Sequence, residues 1–235
     1  MKKVVAIVQS RLGSSRLPGK ALALISGQRM LGHVLTRARA IRGIDAVVLA
    51  TSDQDRDTPL TWVAREQGIE VVRGRCAEHD VLTRFEQAAR AHDADIIMRL
   101  TGDCPLLDPS VCQRVLDMHR EMPDVEYVSN DTTVSGYPDG LDVEVFTARL
   151  LYAASRTVPE HAAWVHGDRE HVTSFMRRTQ PQVVLHCPTD WRHLKLSVDT
   201  ADDLARVRMI YSQLSNGDYT LDATLAAARR AGVST

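Results

Sequence analysis

A short basic loop near the start of the chain is the first segment whose residue types could do chemistry. The ten residues RLGSSRLPGK hold two arginines, one lysine, two glycines and two serines, and they follow an apolar run. Glycines let backbone N–H groups approach phosphate oxygens, and Arg and Lys add charge-assisted donors. The loop therefore predicts a nucleoside triphosphate site with Arg11, Arg16 and Lys20 as its cations. The alternative is a solvated turn that happens to be basic.

The loop differs from the two best-known phosphate-binding motifs. Five residues separate Gly13 from the pair Gly19 and Lys20, whereas a Walker A loop has four at that point. Ala21 also stands where Walker A has a magnesium-binding Ser or Thr. The segment does not spell G-x-G-x-x-G either, so it is neither a Walker A loop nor a dinucleotide fingerprint.

Two aspartates follow strand-like runs later in the chain. Asp103 lies in TGDCPLLDP, and Asp199 lies in SVDTADDL just before a helical segment. Carboxylates at strand ends can hold a hard cation that bridges triphosphate oxygens, so the two residues predict a Mg²⁺ site. The alternative for Asp103 is an N-cap or Asx-turn role. Capping alone explains Thr200, Asp202 and Asp203.

The elements that must position these residues alternate in the first half of the chain. Short β-branched runs predict buried strands at Val4–Val8, Ala46–Ala50, Ile69–Val72 and Asp95–Leu100. Amphipathic spacing predicts helices from Leu31 to Ala38, at Thr58–Gln67 and at Asp80–His92, with Asp57 and Asp80 as N-caps. Such alternation implies an α/β fold of Rossmann-like type, with a mainly parallel sheet covered by helices on both faces. Ligands bind such sheets at the carboxyl ends of strands near a topological switch point, which is where the basic loop and Asp103 fall.

The alternation breaks in the second half of the chain. The sequence predicts a single domain over residues 1–235, with an insertion at roughly 127–170 that holds a strand-like LDVEVF and a helix near Ala148–Thr157. Further strands are predicted at Val183–His186 and Leu194–Val198, and further helices at Ala201–Leu214 and Leu221–Ala231.

Composition excludes several functional classes. The 235 residues are 44% hydrophobic, enough for a full core, and 29 basic residues nearly balance 30 acidic ones. This balance argues against a nucleic-acid or membrane surface, and no apolar run approaches the roughly 20 residues of a membrane span. The run Val4–Val8 is too short for a signal-peptide core, and the four cysteines form no C-x-x-C pair. We therefore expect a cytoplasmic protein with free thiols.

Three segments in this order carry a resemblance to a known family. RLGSSRLPGKAL, TGDCPLLDP and SVDTADDL resemble the cytidylyltransferases that make CMP-activated keto-acid sugars, especially CMP-Kdo synthetase and the spore-coat polysaccharide branch of the acylneuraminate cytidylyltransferase family. YPDGLDVEVF and REHVTSF resemble the spore-coat branch in particular. The resemblance implies a nucleotide-diphospho-sugar transferase (GT-A-like) fold, CTP and Mg²⁺ as co-substrates, and a homodimer formed through the inserted region. Sialic-acid synthetases have D-x-D where this chain has Ser197, Val198 and Asp199, so a sialic-acid substrate is not favoured.

The resemblance also implies roles for individual residues. The expected catalytic residues are Arg11, Lys20, Asp103 and Asp199, of which the two aspartates would ligate the metal. The expected nucleotide-binding residues are Arg11, Leu12, Gly13, Ser14, Arg16, Lys20, Ser52, Arg73, Arg84 and Asp103. Ser52, Arg73 and Arg84 are candidates for cytosine selection by position only, and ordinary surface roles are the alternative.

Four residues are candidates for binding the acceptor. Asp139, Asp142 and Glu144 could accept hydrogen bonds from sugar hydroxyls, and Arg169 could grip a carboxylate in bidentate fashion. The alternative for the three acids is a turn followed by solvent-facing strand positions, since Asp142 and Glu144 alternate with apolar residues.

The favoured function is transfer of CMP from CTP to a keto-acid sugar or similar small acidic acceptor in surface polysaccharide or glycan biosynthesis, with release of pyrophosphate. A second hypothesis is a nucleotidyltransferase of the same fold that acts on a sugar 1-phosphate or a polyol phosphate. A third is a non-catalytic nucleotide-binding or glycan-assembly protein, against which the presence of Arg11, Lys20, Asp103 and Asp199 argues.

Overall fold

A computed structural model describes residues 2–159, 167–215 and 217–235. These residues form a seven-stranded mixed sheet with the spatial order β5-β4-β1-β6-β8-β7-β9, and β2 pairs with β3 in a separate hairpin. The strands are β1 (Val4–Gln9), β2 (Leu24–Ile25), β3 (Gln28–Arg29), β4 (Ala46–Ser52), β5 (Glu70–Gly74), β6 (Ile96–Thr101), β7 (Tyr127–Ser129), β8 (Glu144–Thr147) and β9 (Val183–Val184). The first four strands of that order are mutually parallel, whereas β8 is antiparallel to both of its neighbours.

Helices connect the strands and cover both faces of the sheet. They are α1 (Met30–Arg39), α2 (Thr58–Glu66), α3 (Val81–Ala91), α4 (Pro109–Glu121), α5 (Ala148–Thr157), α6 (Ser174–Thr179), α7 (Ala201–Gln213) and α8 (Leu221–Arg230). Alternation along β1 splits the core: Val4, Ala6 and Val8 pack with α1, α2 and α4, whereas Val5 and Ile7 pack with α3 and α5. The predicted α/β fold with helices on both faces is confirmed.

The chain changes direction across the sheet at β1. From β1 it proceeds outward through β4 to β5, and then it returns to place β6 on the other side of β1. The register pairs Gln9 with Thr101, so β1 and β6 end side by side and their following loops start at one edge. The backbones there are so close that a Cβ on Gly102 would lie 2.8 Å from the carbonyl oxygen of Gln9. This is the topological switch point at which ligands bind in open α/β sheets.

The segment predicted as an insertion contributes to the main sheet. Strands β7 and β8 both fall within residues 127–170 and extend the sheet beyond β6. Helix α5 covers Ala148–Thr157, as predicted. Residues 160–166 of the expected insertion lie outside the described residues. The role of this region in dimerisation stays a prediction.

Two local predictions are wrong, and one long helix has no predicted counterpart. Leu194–Val198 does not form a strand; it makes a single β-bridge from Lys195 to Asp139, while its apolar residues pack against α7 and α8. Asp57 precedes α2 without capping it, because its carboxylate accepts hydrogen bonds from Leu12 N at 2.8 Å and from the Ser52 hydroxyl. Helix α4 is not among the predicted elements. Asp80 does cap α3 by accepting from Thr83 N at 3.1 Å, as predicted.

A buried ionic cluster joins β6, β7, β8 and α6. The Glu144 carboxylate is fully buried, pairs with Arg99, and accepts from Tyr127 Oη at 2.6 Å, Thr173 Oγ1 at 2.8 Å and Arg177 Nε at 3.0 Å. Burial would raise the pKa of Glu144, but the charges of Arg99 and Arg177 and the hydrogen bonds outweigh burial and lower it to about 2 from 4.5. The cluster fixes the antiparallel strands and α6 to the parallel half of the sheet.

We predict that this cluster makes stability depend on pH. The pKa of Glu144 is lowered in the folded protein, so its stabilising effect is complete above about pH 4.5 and is lost as the pH falls toward about 2. The difference corresponds to about 3 kcal/mol in the free energy of unfolding. Urea unfolding between pH 6 and about 3 measures this slope, which should be smaller in Glu144→Gln and unchanged in Glu66→Gln, an exposed control on α2. Equal slopes in wild type and Glu144→Gln would contradict the assignment.

Candidate active site

The loop after β1 folds back so that its last residue reaches the strand ends. Gly19 has a φ of +72°, a left-handed conformation that favours glycine, and its N–H donates to the carbonyl of Leu12 at 3.3 Å. The hydroxyl of Ser14 accepts from Leu17 N at 3.3 Å. Lys20 then begins a short 3₁₀ turn at the edge of the sheet. The compact loop thus delivers a lysine to the ends of β1 and β6.

Lys20 bridges the two predicted metal ligands. Its Nζ lies 3.1 Å from Asp103 Oδ2 and 3.0 Å from Asp199 Oδ1, and it donates to the carbonyl of Val198 at 2.6 Å. Its side chain is only 13% exposed. The structure thus brings together three residues that are far apart in sequence. Because two carboxylates converge on one ammonium, this point of the site can hold a positive charge.

Two further cations lie next to the negative charge of Asp199. Arg16 contacts the same Oδ1 at 2.9 Å, and Lys195 contacts Oδ2 at 3.1 Å. Burial would raise the pKa of Asp199, but the hydrogen bonds and charges of Lys20 and Lys195 outweigh it and hold the pKa below its usual value. Asp199 is therefore ionised at neutral pH.

The other loop arginine pairs with acids from two separate segments. Arg11 donates to Glu170 Oε1 at 2.8 Å and to the carbonyl of Glu78 at 3.3 Å, and Glu78 Oε1 is 3.8 Å away. Arg84 is buried and donates to the same Glu78 carbonyl at 2.8 Å. The carbonyl of Glu78 thus links two guanidinium groups.

These side chains surround a cavity of about 350 Å³ at the switch point. The predicted residues that line it are Arg11, Gly13, Ser14, Arg16, Lys20, Arg84, Asp103 and Asp199. Leu12 does not line it and acts through its backbone, which accepts from Ser14 N and Gly19 N and donates to Asp57. The cavity therefore gathers the predicted catalytic residues and most of the predicted triphosphate-binding residues.

Two of the three cytosine candidates lie elsewhere. The hydroxyl of Ser52 is buried against Asp57. Arg73 donates to the carbonyls of Ser52 at 3.2 Å and Gln54 at 2.8 Å, which ties β5 to the end of β4. Both are structural contacts outside the cavity lining, whereas Arg84 does reach the cavity.

The acceptor candidates do not fit the cavity as predicted. Arg169 is 1% exposed, with Nε and Nη2 each 2.9 Å from a carboxylate oxygen of Asp80 and Nη1 2.6 Å from the carbonyl of Val158. Glu144 is occupied by the buried cluster described above. Neither residue can reach an acceptor in this arrangement, so these two expectations are corrected.

The other two acids lie nearer the switch point but outside the cavity lining. Asp139 Oδ2 accepts from Ser197 Oγ at 2.9 Å, and burial, together with the charges of Asp199 and Asp103, raises its pKa. Asp142 accepts from Thr132 Oγ1 at 2.7 Å and from Gly140 N at 3.0 Å, and burial raises its pKa. Their hydrogen bonds show that both shape the loop beside Asp103 and Asp199.

Sequence reasoning missed several residues that line the cavity. They include Gln9, Ser10, Ser15, Thr101, Gly102, Glu170 and His171. The first five lie next to motif residues that follow β1 and β6, so their position in the sequence could have indicated that they line the site. Glu170 and His171 fall within REHVTSF, next to Arg169, but nothing local shows that they rather than Arg169 face the cavity.

The donor set suits a hard cation held jointly with phosphate. Within residues 2–159, 167–215 and 217–235, no group of three or more His, Cys, Asp or Glu side chains forms a metal site. Magnesium in nucleotide enzymes is commonly held by one or two carboxylates plus substrate phosphates. Asp103 and Asp199, which already share one positive group, fit that requirement.

Across the same described residues, no helix combines the length and apolarity that a membrane crossing requires.

A mainly parallel sheet whose switch point carries a basic loop beside two carboxylates is the arrangement of an α/β protein that binds an anionic ligand at that edge. The sequence model of the cytidylyltransferase family matches residues 5–216, and the chain belongs to this family. This result confirms the predicted family, fold and enzyme class. The roles of individual site residues stay predictions.

Known proteins resemble the chain over most of its length. The spore coat polysaccharide biosynthesis protein SpsF of Bacillus subtilis is 32% identical over 223 residues, which cover 91% of this chain and 88% of SpsF. A cytidylyltransferase structure from Leptospira borgpetersenii aligns with a TM-score of 0.88 and 26% identity, covering 99% of this chain and 96% of that one. A CMP:2-keto-3-deoxy-manno-octonic acid synthetase solved with CTP aligns with a TM-score of 0.70 over 90% of this chain and 99% of that one, and its 21% identity shows the shared fold.

We predict that Lys20→Met weakens binding of inorganic tripolyphosphate. The substitution removes the least exposed cation of the loop and leaves Asp103 and Asp199 without the ammonium between them. Loss of a charge-assisted hydrogen bond should weaken binding about 10- to 100-fold in isothermal titration calorimetry. Lys3→Met, at an exposed position near the start of β1, is the matched control and should bind like wild type. Equal affinity in Lys20→Met and Lys3→Met would remove Lys20 from the anion site.

Proposed function

We propose that the protein transfers CMP from CTP to a hydroxyl group of a small keto-acid sugar and releases pyrophosphate. The observation that carries the proposal is the convergence of Lys20, Asp103 and Asp199 at the switch point, with Arg11 and Arg16 beside them. Membership of the cytidylyltransferase family and the CTP bound to the CMP:2-keto-3-deoxy-manno-octonic acid synthetase support CTP as the donor. The likeness to SpsF supports a role in polysaccharide biosynthesis.

The reaction is an in-line substitution at phosphorus. The acceptor oxygen forms a bond to the α-phosphorus of CTP, and the bond from that phosphorus to the bridging oxygen of the β-phosphate breaks. Pyrophosphate leaves with the bonding electrons, and the hydroxyl proton passes to solvent. Catalysis of such a step is mostly positioning and charge stabilisation, so it needs cations near the leaving group more than a protein nucleophile.

The residues of the loop would stabilise the leaving pyrophosphate. Arg11, Arg16 and Lys20 line one cavity, and each pairs with a carboxylate in the free protein. Phosphate oxygens can replace those carboxylates as partners of the same donors. The N–H groups of the loop around Gly13 would orient the triphosphate between these side chains.

Asp103 and Asp199 would hold Mg²⁺ together with phosphate oxygens. A bound Mg²⁺ would neutralise charge on the α-phosphate and favour ionisation of the acceptor hydroxyl. Lys20 now lies between the two carboxylates, so its ammonium would move toward the phosphates when the cation binds. A homodimer, which the family resemblance implies, and a cytoplasmic location, which the composition of the sequence predicts, complete the proposal.

Pyrophosphate release tests this function. Wild-type protein is incubated with CTP, UTP, ATP or GTP, with and without Mg²⁺, and with a panel of Kdo, neuraminate, pseudaminate, legionaminate and hexose 1-phosphates. We expect pyrophosphate release only with CTP, Mg²⁺ and a keto acid. Activity with a hexose 1-phosphate and none with any keto acid would support the sugar 1-phosphate alternative. CTP binding without turnover on any acceptor would support a non-catalytic role.

We predict that Asp103→Asn abolishes most turnover while the fold is retained. The change is nearly isosteric, but it removes one of the two charges that would hold the cation. With the keto acid that wild type uses, pyrophosphate release should fall about 100-fold or more. The melting temperature should change little, because Asp103 is partly exposed and lies in a loop. Turnover within a few-fold of wild type would make Asp103 a turn residue.

A further inference from the structure

A second lysine holds Asp199 from the side opposite the loop cations. Lys195 Nζ lies 3.1 Å from Asp199 Oδ2, whereas Lys20 and Arg16 contact Oδ1 at 3.0 and 2.9 Å. Lys195 is absent from the residues that line the cavity. The two oxygens of one carboxylate therefore have separate partners, one set that lines the cavity and one outside its lining.

Lys195 is itself anchored by the first turn of α7. Its Nζ lies 2.9 Å from Asp203 Oδ2, and that oxygen also accepts from the backbone N–H groups of Asp199 and Thr200, each at 3.0 Å. The other oxygen of Asp203 accepts from Arg206 Nη1 at 2.9 Å, and the Asp203 side chain is only 6% exposed. Capping was expected to be the whole role of Asp203, but its carboxylate also fixes the ammonium that holds Asp199.

We propose that Lys195 is a positioning residue, which with Asp203 fixes the Asp199 carboxylate so that Oδ1 faces the cavity to hold the divalent cation. The inference rests on the proposed function, which makes Asp199 a metal ligand. Partners of this kind orient a ligand, and their removal typically costs 10- to 100-fold in metal affinity.

Two effects of removing Lys195 have opposite signs. Loss of a positive charge next to Asp199 would by itself tighten cation binding, although water screens this effect because the Lys195 side chain is 33% exposed. Loss of the fixed orientation would weaken binding, since the Asp199 carboxylate could then rotate to positions in which neither oxygen faces the cavity. The sign of the change in affinity therefore separates positioning from a simple charge effect.

The experiment measures Mn²⁺ binding by electron paramagnetic resonance in the presence of CTP and without an acceptor, so that no turnover occurs. Lys195→Met should bind Mn²⁺ about tenfold more weakly than wild type. Arg206→Met is the matched control, because it removes a cation from the same network without a contact to Asp199, and it should stay within about threefold of wild type. Asp203→Asn keeps an oxygen acceptor at the cap and should also weaken Mn²⁺ binding. This variant provides the test if Lys195→Met does not fold.

Unchanged or tighter Mn²⁺ binding in Lys195→Met, or in Asp203→Asn where only that variant folds, would overturn the proposal. A loss in Arg206→Met as large as in Lys195→Met would also overturn it, because the effect would then follow general disruption of the contacts around Asp203 and not the contact between Lys195 and Asp199. Failure of the proposed metal site gives a different result. In that case wild type would show no CTP-dependent Mn²⁺ binding, or Asp199→Asn would bind Mn²⁺ as well as wild type.

Discussion

One ammonium shared by two carboxylates is the interaction on which the rest of the site depends. Lys20 is largely buried between Asp103 and Asp199, and a charge in that position is costly unless it is paired and hydrogen-bonded. The three residues come from the loop after β1, the loop after β6 and the segment before α7. Only the adjacency of β1 and β6, fixed by the crossover order of the sheet, brings the first two loops together. The main contribution of the fold to the site is therefore to hold these charged side chains close together, whereas in a flexible chain they would separate.

The parallel half of the fold and the centre of the site could be predicted from the sequence. Buried parallel strands are continuous apolar runs, and motif residues directly after them must fall at one edge of the sheet. Helix α4 could also have been predicted, since Asp108 caps it, Pro109 is its first residue and its apolar residues have helical spacing.

Other features depend on long-range contacts that no local pattern shows. Arg169 looks like an outlying cation, but its partner Asp80 is 89 residues earlier in the chain. Glu144 alternates with apolar residues as a solvent-facing position would, yet α6 and Arg99 close over it. The apolar residues of Leu194–Val198 are buried because they pack on α7 and α8, and the segment does not join the sheet. In each case tertiary packing decides a role that residue type alone leaves open.

The pairing of acids and bases in the free site bears on how a nucleotide would bind. Arg11 pairs with Glu170, Arg16 with Asp199, and Lys20 with both metal-ligand candidates, so each cation already has a partner. A buried charge that keeps a partner of opposite sign is less costly than an unpaired one, so the pairing stabilises the site without ligand. A ligand must then replace several carboxylates at once, and a triphosphate with a divalent cation can do so because it brings both phosphate oxygens for the bases and positive charge for the acids. A monophosphate cannot exchange all of these pairs, so for the proposed reaction the charge pairing itself would favour the complete donor nucleotide over its CMP fragment.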